Sequence, residues 1–128
     1  MIYTESWYDN YMEQYRQAMD AEPYPEDDPE VPDAGPEKAL QAKCFHYLQD
    51  HGYPVYHDWS RKKNKAGWPD LFCFLPGGRV ELIELKAAGG KLRKEQQNLK
   101  RELMYLGHRV HTVKSYKRFI QIMEGAKQ

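Results

Sequence analysis

The sequence predicts a compact α/β domain with the element order α-β-β-β-α-β-α, preceded by a helical and acidic N-terminal extension. Three observations support this fold class. Segments whose apolar residues lie three or four positions apart alternate with short apolar runs, as helices alternate with strands. A Pro-Gly-Gly sequence joins two of these runs in the manner of a hairpin. The 128 residues suffice for one domain with a buried core.

The formal net charge of zero conceals two regions of opposite charge. Residues 1–36 contain ten acidic residues and one basic residue, whereas residues 37–128 contain 18 basic and nine acidic residues. We therefore divide the chain into an extension, residues 1–35, and a body, residues 36–128. A basic body indicates either a domain that binds a polyanion or an ordinary basic domain with a solubilising tail. Charge alone does not decide between them.

The extension has two parts. A helix is predicted over residues 5–19, where five apolar residues follow helical spacing: Tyr8, Tyr11, Met12, Tyr15 and Met19. Residues 21–36 contain five prolines and six acidic residues, which is typical of an extended or disordered linker. The apolar side of the helix must pack on the body or on a second copy of the chain.

The first helix of the body is predicted to start at Pro36, because proline suits the first helical position, and to end at Gly52. Its apolar stripe consists of Leu40, Cys44, Tyr47 and Leu48. A short strand is predicted at residues 53–57 and a basic loop at residues 60–67.

A hairpin is predicted from two strands, residues 70–75 and 80–86, joined by Pro76-Gly77-Gly78. A three-residue loop fixes the register of the two strands, and directly opposed residues point to the same face. The expected pairs are Leu75 with Arg79, Phe74 with Val80, Phe72 with Leu82 and Asp70 with Glu84.

The C-terminal part of the body is predicted to contain a helix, a strand and a final helix. The first helix spans about residues 93–106, with Leu92, Leu99, Leu103 and Leu106 on one side. The strand is expected at residues 109–114. The last helix is expected at residues 116–124, with Ser115 as its N-cap.

Three charged residues are expected to meet at one end of the hairpin. Lys86 follows Glu84 by two residues and so shares its face with Glu84 and Asp70. Two adjacent carboxylates repel each other, and burying them without a partner is costly. Either a divalent cation resolves the conflict, with oxygen ligands that suit Mg²⁺ or Mn²⁺, or Lys86 neutralises the acids in a salt-bridged triad.

Two further polar residues lie on predicted apolar stripes. Gln96 lies between Leu92 and Leu99 on the helix after the hairpin, and Glu37 lies three residues before Leu40 on the first body helix. Each has an ordinary interpretation, Glu37 as an acid at a helix N-terminus and Gln96 as a partly exposed amide. Both helix starts can converge on the charged end of the hairpin, so both residues are candidate members of one site.

Several features indicate an intracellular protein. The sequence contains no run of 18 apolar residues that could span a membrane, and its first residues lack the basic and apolar parts of a secretory signal. Cys44 and Cys73 lack zinc-ligand spacing and fall in apolar patterns, so they are expected to be buried free thiols. We expect a cytoplasmic location.

The charged residues lie in motifs that resemble the PD-(D/E)xK nucleases, and more specifically the virus-type replication–repair nuclease (VRR-NUC) family. The similarity extends over about residues 36–124. Trp68 departs from the family, which often has a small or basic residue before the Pro-Asp. The matching segments are Glu37 with Gln41, Gly67-Trp68-Pro69-Asp70, Glu84-Leu85-Lys86, the run GGKLRKEQ that ends in Gln96, and the run LGHRVHTVKSYKRF at 106–119.

The resemblance implies a compact PD-(D/E)xK nuclease core that hydrolyses DNA phosphodiesters with a metal ion. Lys86 would position the attacking water and help to deprotonate it. Gln96 would support the site through Lys86 or through that water. The residues implied to hold Mg²⁺ or Mn²⁺ are Asp70, Glu84, the backbone carbonyl of Leu85 and, directly or through water, Glu37. No small-molecule cofactor is expected.

Two basic clusters are candidate DNA contacts, because both flank the predicted site in sequence. They are Arg61, Lys62, Lys63 and Lys65 before the hairpin, and Lys91, Arg93 and Lys94 after it. A solvated charged loop is the ordinary alternative for each. Without a base-reading helix, recognition is expected to depend on the shape of the DNA.

Stand-alone members of the family resemble phage and bacterial resolvases that act on branched DNA as homodimers. The resemblance therefore implies a phage-encoded or bacterial homodimer that cuts Holliday junctions. The helix at residues 5–19 could extend the dimer interface. Alternatively, the acidic linker could lie in the basic groove and mimic DNA. Two competing functions remain: a restriction-type duplex nuclease, and a non-catalytic DNA-binding protein that retains the fold.

Overall fold

The structure is a computed structural model that describes residues 6, 7, 9–11, 13, 14, 30–57 and 67–125. Over residues 30–125 the elements follow the predicted order α-β-β-β-α-β-α. They are α1 (Glu37–His51), β1 (Val55–His57), β2 (Leu71–Phe74), β3 (Val80–Leu85), α2 (Lys94–Tyr105), β4 (Val110–Val113) and α3 (Tyr116–Met123). Among the described residues, no helix is both long enough and apolar enough to cross a membrane.

The four strands form one sheet in the order β1-β2-β3-β4. β2 pairs antiparallel with β1 and with β3, whereas β4 runs parallel to β3. Pro76–Gly78 forms a 3₁₀ turn between β2 and β3, and the Leu75 N–H donates to the Arg79 carbonyl at 2.8 Å. The predicted three-residue loop and its register are confirmed. The ladder pairs are Leu71 with Ile83, Phe72 with Leu82, Cys73 with Glu81 and Phe74 with Val80.

The hydrophobic core lies between one face of the sheet and helices α1 and α3. The two cysteines belong to it as buried free thiols, as predicted. Because side chains alternate along a strand, every second residue of β2 and β3 contributes to this face. The core residues are Leu40, Cys44 and Leu48 of α1, Leu71, Cys73, Leu75, Ile83, Leu85 and Val113 of the sheet region, and Phe119, Ile122 and Met123 of α3.

Local signals set most helix ends, with two differences from the prediction. Gly52 ends α1 in a left-handed conformation (φ 69°), and the Ser115 hydroxyl accepts from the Arg118 N–H at 3.1 Å. Pro36 is the N-cap of α1, with extended backbone, so the predicted first helical position was wrong by one residue. Leu106, expected on the apolar side of α2, is 56% exposed and is the C-cap that follows the last residue of that helix.

The opposite face of the sheet is only partly covered by described residues. α2 lies over the β4 side, where the Lys100 ammonium donates to the Thr112 hydroxyl at 3.1 Å. The part over β1, β2 and the adjoining half of β3 forms what we call the open face. Its residues are Tyr56, Phe72, Phe74, Val80 and Leu82, which the register of the ladders places on one side.

The described end of the acidic extension is held against the body. Glu30 accepts hydrogen bonds from the Lys114 N–H at 2.5 Å and from the Ser115 hydroxyl at 2.9 Å. Asp33 accepts from the Tyr116 N–H at 2.9 Å. These carboxylates therefore satisfy backbone donors at the N-terminus of α3, where a helix attracts negative charge. The division at residues 35 and 36 stays a prediction.

Only part of the predicted helix at residues 5–19 is described. Its described residues are helical, and the rings of Trp7 and Tyr11 stack with centroids 5.4 Å apart. Tyr11 is 48% exposed. The other predicted stripe residues, Tyr8, Met12, Tyr15 and Met19, lie outside the described residues, as does the linker before Glu30.

Gly67 allows the segment before β2 to pass close to the start of α2. Its φ is +99°, and a Cβ added there would lie 2.4 Å from the Glu95 carbonyl oxygen. Only glycine fits this approach, because a side chain would meet backbone that cannot move aside. The contact sets where Trp68, Pro69 and Asp70 stand relative to α2.

Replacing Gly67 by alanine should therefore destabilise the protein strongly. We expect Gly67→Ala to lower the free energy of unfolding by roughly 3 kcal/mol, from positive φ and overpacking together. Gly77→Ala is the matched control, because Gly77 has φ +76° but no atom within 4 Å of an added Cβ. It should cost about 1–2 kcal/mol. Equal losses in denaturant unfolding would show that the close approach to α2 contributes nothing.

Candidate active site

The hairpin brings Asp70 and Glu84 together at one end of the sheet. The last ladder pair at that end is Leu71 with Ile83. Asp70 precedes Leu71 and Glu84 follows Ile83, so the same register sets these two residues opposite each other. The Leu85 N–H donates to Asp70 Oδ2 at 2.8 Å, which fixes the Asp70 side chain against β3. This is the juxtaposition that the three-residue loop predicts.

Glu84 is a buried carboxyl group with three polar neighbours. It is 3% exposed, and its Oε1 accepts a hydrogen bond from Gln96 Nε2 at 2.7 Å. The Lys86 ammonium lies 3.8 Å from the same oxygen. Burial raises the pKa of Glu84 to about 9, and the charge of Asp70 and a hydrogen bond with it act in the same direction. At neutral pH, Glu84 therefore favours its protonated form as long as Lys86 is the only positive charge beside it.

Gln96 connects α2 to β3. It is 5% exposed, and its Oε1 accepts from the Arg93 N–H at 2.8 Å while its amide nitrogen donates to Glu84. The side chain therefore satisfies one free backbone donor at the start of α2 and orients the carboxyl group of Glu84. The resemblance implied that Gln96 acts through Lys86 or a water, whereas the structure gives Glu84 as its hydrogen-bond partner.

Glu37 approaches the same site from the first residue of α1. Partial burial raises its pKa, and the negative charge of Asp70 raises it further. The positive charges of Lys86 and Arg93 act in the opposite direction. Glu37 thus shares its electrostatic environment with the hairpin residues, although it is distant from them in sequence. All five predicted catalytic residues converge on this end of the sheet.

Lys100 is a buried residue beside the site that the sequence analysis did not identify. It is 3% exposed, although it is a lysine, and its ammonium contacts Thr112. Thr112 pairs with Glu84 across the β3–β4 ladder, and Lys100 follows Gln96 by one helical turn. Lys100 therefore helps to hold α2 over the strands that carry the site. Its position one turn after Gln96, on the side facing the sheet, is the signal that could have revealed it.

The structure describes only one of the two predicted basic clusters. Lys91, Arg93 and Lys94 are exposed just before and at the start of α2. Arg93 is close enough to Glu37 to lower its pKa, so this cluster borders the site. The other predicted cluster, Arg61, Lys62, Lys63 and Lys65, lies outside the described residues.

The donor atoms of the site fit a hard divalent cation. Asp70 and Glu84 supply carboxylate oxygens, and the Leu85 carbonyl lies next to Glu84 in β3. Oxygen ligands suit Mg²⁺ or Mn²⁺, and Mg²⁺ usually keeps several waters in its coordination shell. No group of three His, Cys, Asp or Glu side chains within the described residues is already arranged around a metal position. The remaining ligands would then be the backbone carbonyl, water and, directly or through water, Glu37.

The fold and the site together define an α/β domain of the PD-(D/E)xK nuclease type. The family model of the VRR-NUC domain matches residues 37–116, which is more than half of the chain. The chain therefore belongs to the VRR-NUC nuclease family, as the sequence motifs predicted. Membership identifies it as a nuclease-fold, DNA-processing protein.

Two solved structures support the fold assignment. One, described as a VRR_NUC domain, superposes with a TM-score of 0.60 at 23% identity and covers 73% of this chain and 100% of that chain. A second, described as a VRR_NUC domain protein, gives a TM-score of 0.56 at 18% identity and covers 72% of this chain and 88% of that chain. No match was found among proteins with curated functions.

Glu84 and Glu81 should respond to pH with opposite signs in metal-free protein. The pKa of Glu84 is raised from 4.5 to about 9, so it costs stability increasingly as pH rises between those values. We expect Glu84→Gln to stabilise the protein, by on the order of 2 kcal/mol near pH 8 and little at pH 4. Chemical unfolding in EDTA at several pH values measures this.

Glu81 is the matched control, because it lies on the same strand with a lowered pKa. A hydrogen bond with His111 at 2.9 Å is the main cause, and Arg79 adds to it. Glu81 therefore contributes stability above pH 4.5 that is lost on acidification. Glu81→Gln should destabilise the protein at neutral pH. If the Glu84→Gln difference did not grow with pH, the account of Glu84 would be wrong.

Proposed function

We propose that this protein is a Mg²⁺- or Mn²⁺-dependent endonuclease that hydrolyses phosphodiester bonds in branched DNA. The observation that carries the proposal is the convergence of Asp70, Glu84, Lys86 and Gln96 at one end of the sheet, with Glu37 at the start of α1. A structural salt bridge needs one acid for one lysine. Here the carboxyl groups of Asp70 and Glu84 lie side by side, and Glu84 is buried. The buried amide of Gln96 orients the Glu84 carboxyl group through a hydrogen bond.

Asp70, Glu84 and the backbone carbonyl of Leu85 would hold the metal ion, with Glu37 as a further ligand directly or through water. When bound, the ion would polarise the phosphoryl oxygens and lower the pKa of water in the site. Gln96 fixes the orientation of the Glu84 carboxyl group through its 2.7 Å hydrogen bond. The Leu85 N–H does the same for Asp70.

Lys86 is the group that would act on the attacking water. Its side chain is 15% exposed, and its ammonium lies 3.8 Å from Glu84 Oε1, beside the position proposed for the metal ion. It would orient the water, help to remove its proton and stabilise negative charge as the phosphorus–oxygen bond breaks. The nearby carboxyl group of Glu84 keeps the ammonium in place.

The exposed residues Lys91, Arg93 and Lys94 would bind the phosphate backbone beside the site, together with the basic cluster Arg61, Lys62, Lys63 and Lys65. Phosphate contacts of this kind set the position of DNA without reading its sequence. Recognition would then depend on DNA shape. As a homodimer, the protein would place two sites on a junction and cut two strands.

Cleavage of a labelled four-way junction, beside a linear duplex of the same length, tests the proposal. We expect cutting that requires Mg²⁺ or Mn²⁺, stops in EDTA and favours the junction. Lys86→Ala should lower the rate by at least about 100-fold, because it removes both charge stabilisation and proton transfer. Lys117→Ala is the matched control, since Lys117 is exposed on α3 and should leave the rate unchanged.

The outcomes separate the competing functions. If Lys86→Ala cleaved as fast as the wild type, the catalytic assignment would be wrong. Equal cutting of junction and duplex would contradict the preference for branched DNA and would favour a restriction-type nuclease. Binding of either DNA without cutting, with both metals, would favour a non-catalytic DNA-binding protein.

A further inference from the structure

The open face and Trp68, in the segment just before β2, carry aromatic rings that the described part of the chain leaves accessible. Tyr56 is 52% exposed and Trp68 is 37% exposed. Phe72 lies between them, with its ring centroid 5.7 Å from that of Tyr56 and 6.1 Å from that of Trp68. We call these three residues the aromatic row. The row is a contiguous set of rings on the surface, whereas large aromatic residues are usually buried to a greater extent.

The aromatic row is continuous with the candidate active site. Phe72 follows Asp70 by two residues in the chain, and Leu82, its partner across the ladder, precedes Glu84 by two. Residues two apart in a strand lie on one face and roughly 7 Å from each other. If a phosphate of a nucleic acid lay at Asp70 and Glu84, the nucleotide next to that phosphate would therefore lie over Phe72, roughly 7 Å away.

The surroundings of the row favour an anionic ligand with flat apolar groups. Lys91, Arg93 and Lys94 are exposed beside the site, and the sequence between Tyr56 and Trp68 contains four basic residues. An apolar protein partner would not need this charge. Nucleotides combine a phosphate with a flat base, and bases stack on aromatic side chains irrespective of sequence.

We propose that the aromatic row binds unpaired bases of the DNA substrate. The bases of a duplex are already stacked on each other, so their faces are available only where the strand is unpaired. The row would thus select DNA with single-stranded nucleotides next to the cleaved bond, such as those at flaps, gaps or opened junctions. This inference rests on the proposed nuclease function and specifies the part of the substrate that the site recognises.

Binding in EDTA tests the inference without any cleavage. The probes are labelled oligo-dT, a fully paired duplex, and the same duplex with a single-stranded flap, all at one salt concentration because phosphate binding depends strongly on salt. We expect Tyr56→Ala and Trp68→Ala each to weaken binding to oligo-dT and to the flap about 5- to 100-fold. Binding to the duplex should change less than about twofold.

Three comparisons make the result specific. Tyr105→Ala removes a tyrosine of α2 that is 43% exposed, away from the row, and should alter none of the affinities. Tyr56→Leu and Trp68→Leu keep apolar area but remove the ring, so they should bind as weakly as the alanine variants. Circular dichroism melting identifies any variant that fails to fold. If Trp68→Ala fails to fold, Tyr56→Ala alone tests the row, because Tyr56 lies on β1 and not in the segment that carries Asp70.

Two results would overturn the inference. The first is an equal loss, or no loss, for single-stranded and paired DNA in the folded variants. The second is a Tyr56→Ala variant whose DNA affinities are unchanged but whose molecular mass, measured by light scattering, is lower than that of the wild type. That result would identify the open face as an interface between copies of this chain. Neither result depends on the Lys86→Ala cleavage assay, so the proposed nuclease function is judged separately.

Discussion

The burial of the Glu84 carboxyl group beside Asp70 is the constraint on which the site depends. A carboxylate in a position that is 3% exposed loses most of its hydration, and a second acid next to it adds repulsion. Gln96 supplies a hydrogen bond and Lys86 a positive charge, yet the pKa of Glu84 is still raised to about 9. Such an arrangement costs stability in the metal-free protein, and the divalent cation that we propose for this position would offset that cost.

The rest of the fold holds this arrangement in place. The Pro76–Gly78 turn fixes the register of β2 and β3, and a shift by one residue would turn Asp70 to the other face. α2 is tied to the same region through Gln96 and through the contact between Lys100 and Thr112. The core between the sheet and the helices α1 and α3 lies on the face opposite Asp70 and Glu84, and it also holds α1, whose first residue, Glu37, borders the site.

The sequence predicted the features that local chemistry decides. The Pro-Gly-Gly turn gave the register, and alternation along the strands gave the shared face of Asp70, Glu84 and Lys86. The partner of Gln96 and the burial of Lys100 depend on how α2 lies on the sheet, which no local pattern specifies. The contacts of Glu30 and Asp33 with the start of α3 join residues more than 80 positions apart, so composition alone indicated only a linker.

The central claim is that Asp70 and Glu84 form a divalent-metal site, and locating Mn²⁺ by anomalous diffraction from crystals soaked at neutral pH tests it most directly. The account predicts one or two anomalous peaks within coordinating distance of the carboxylate oxygens of Asp70 and Glu84, and none there in crystals of Glu84→Gln. Density for Mn²⁺ only at other positions, with Lys86 still paired to Glu84, would contradict it and would leave the residues as a salt-bridged structural cluster.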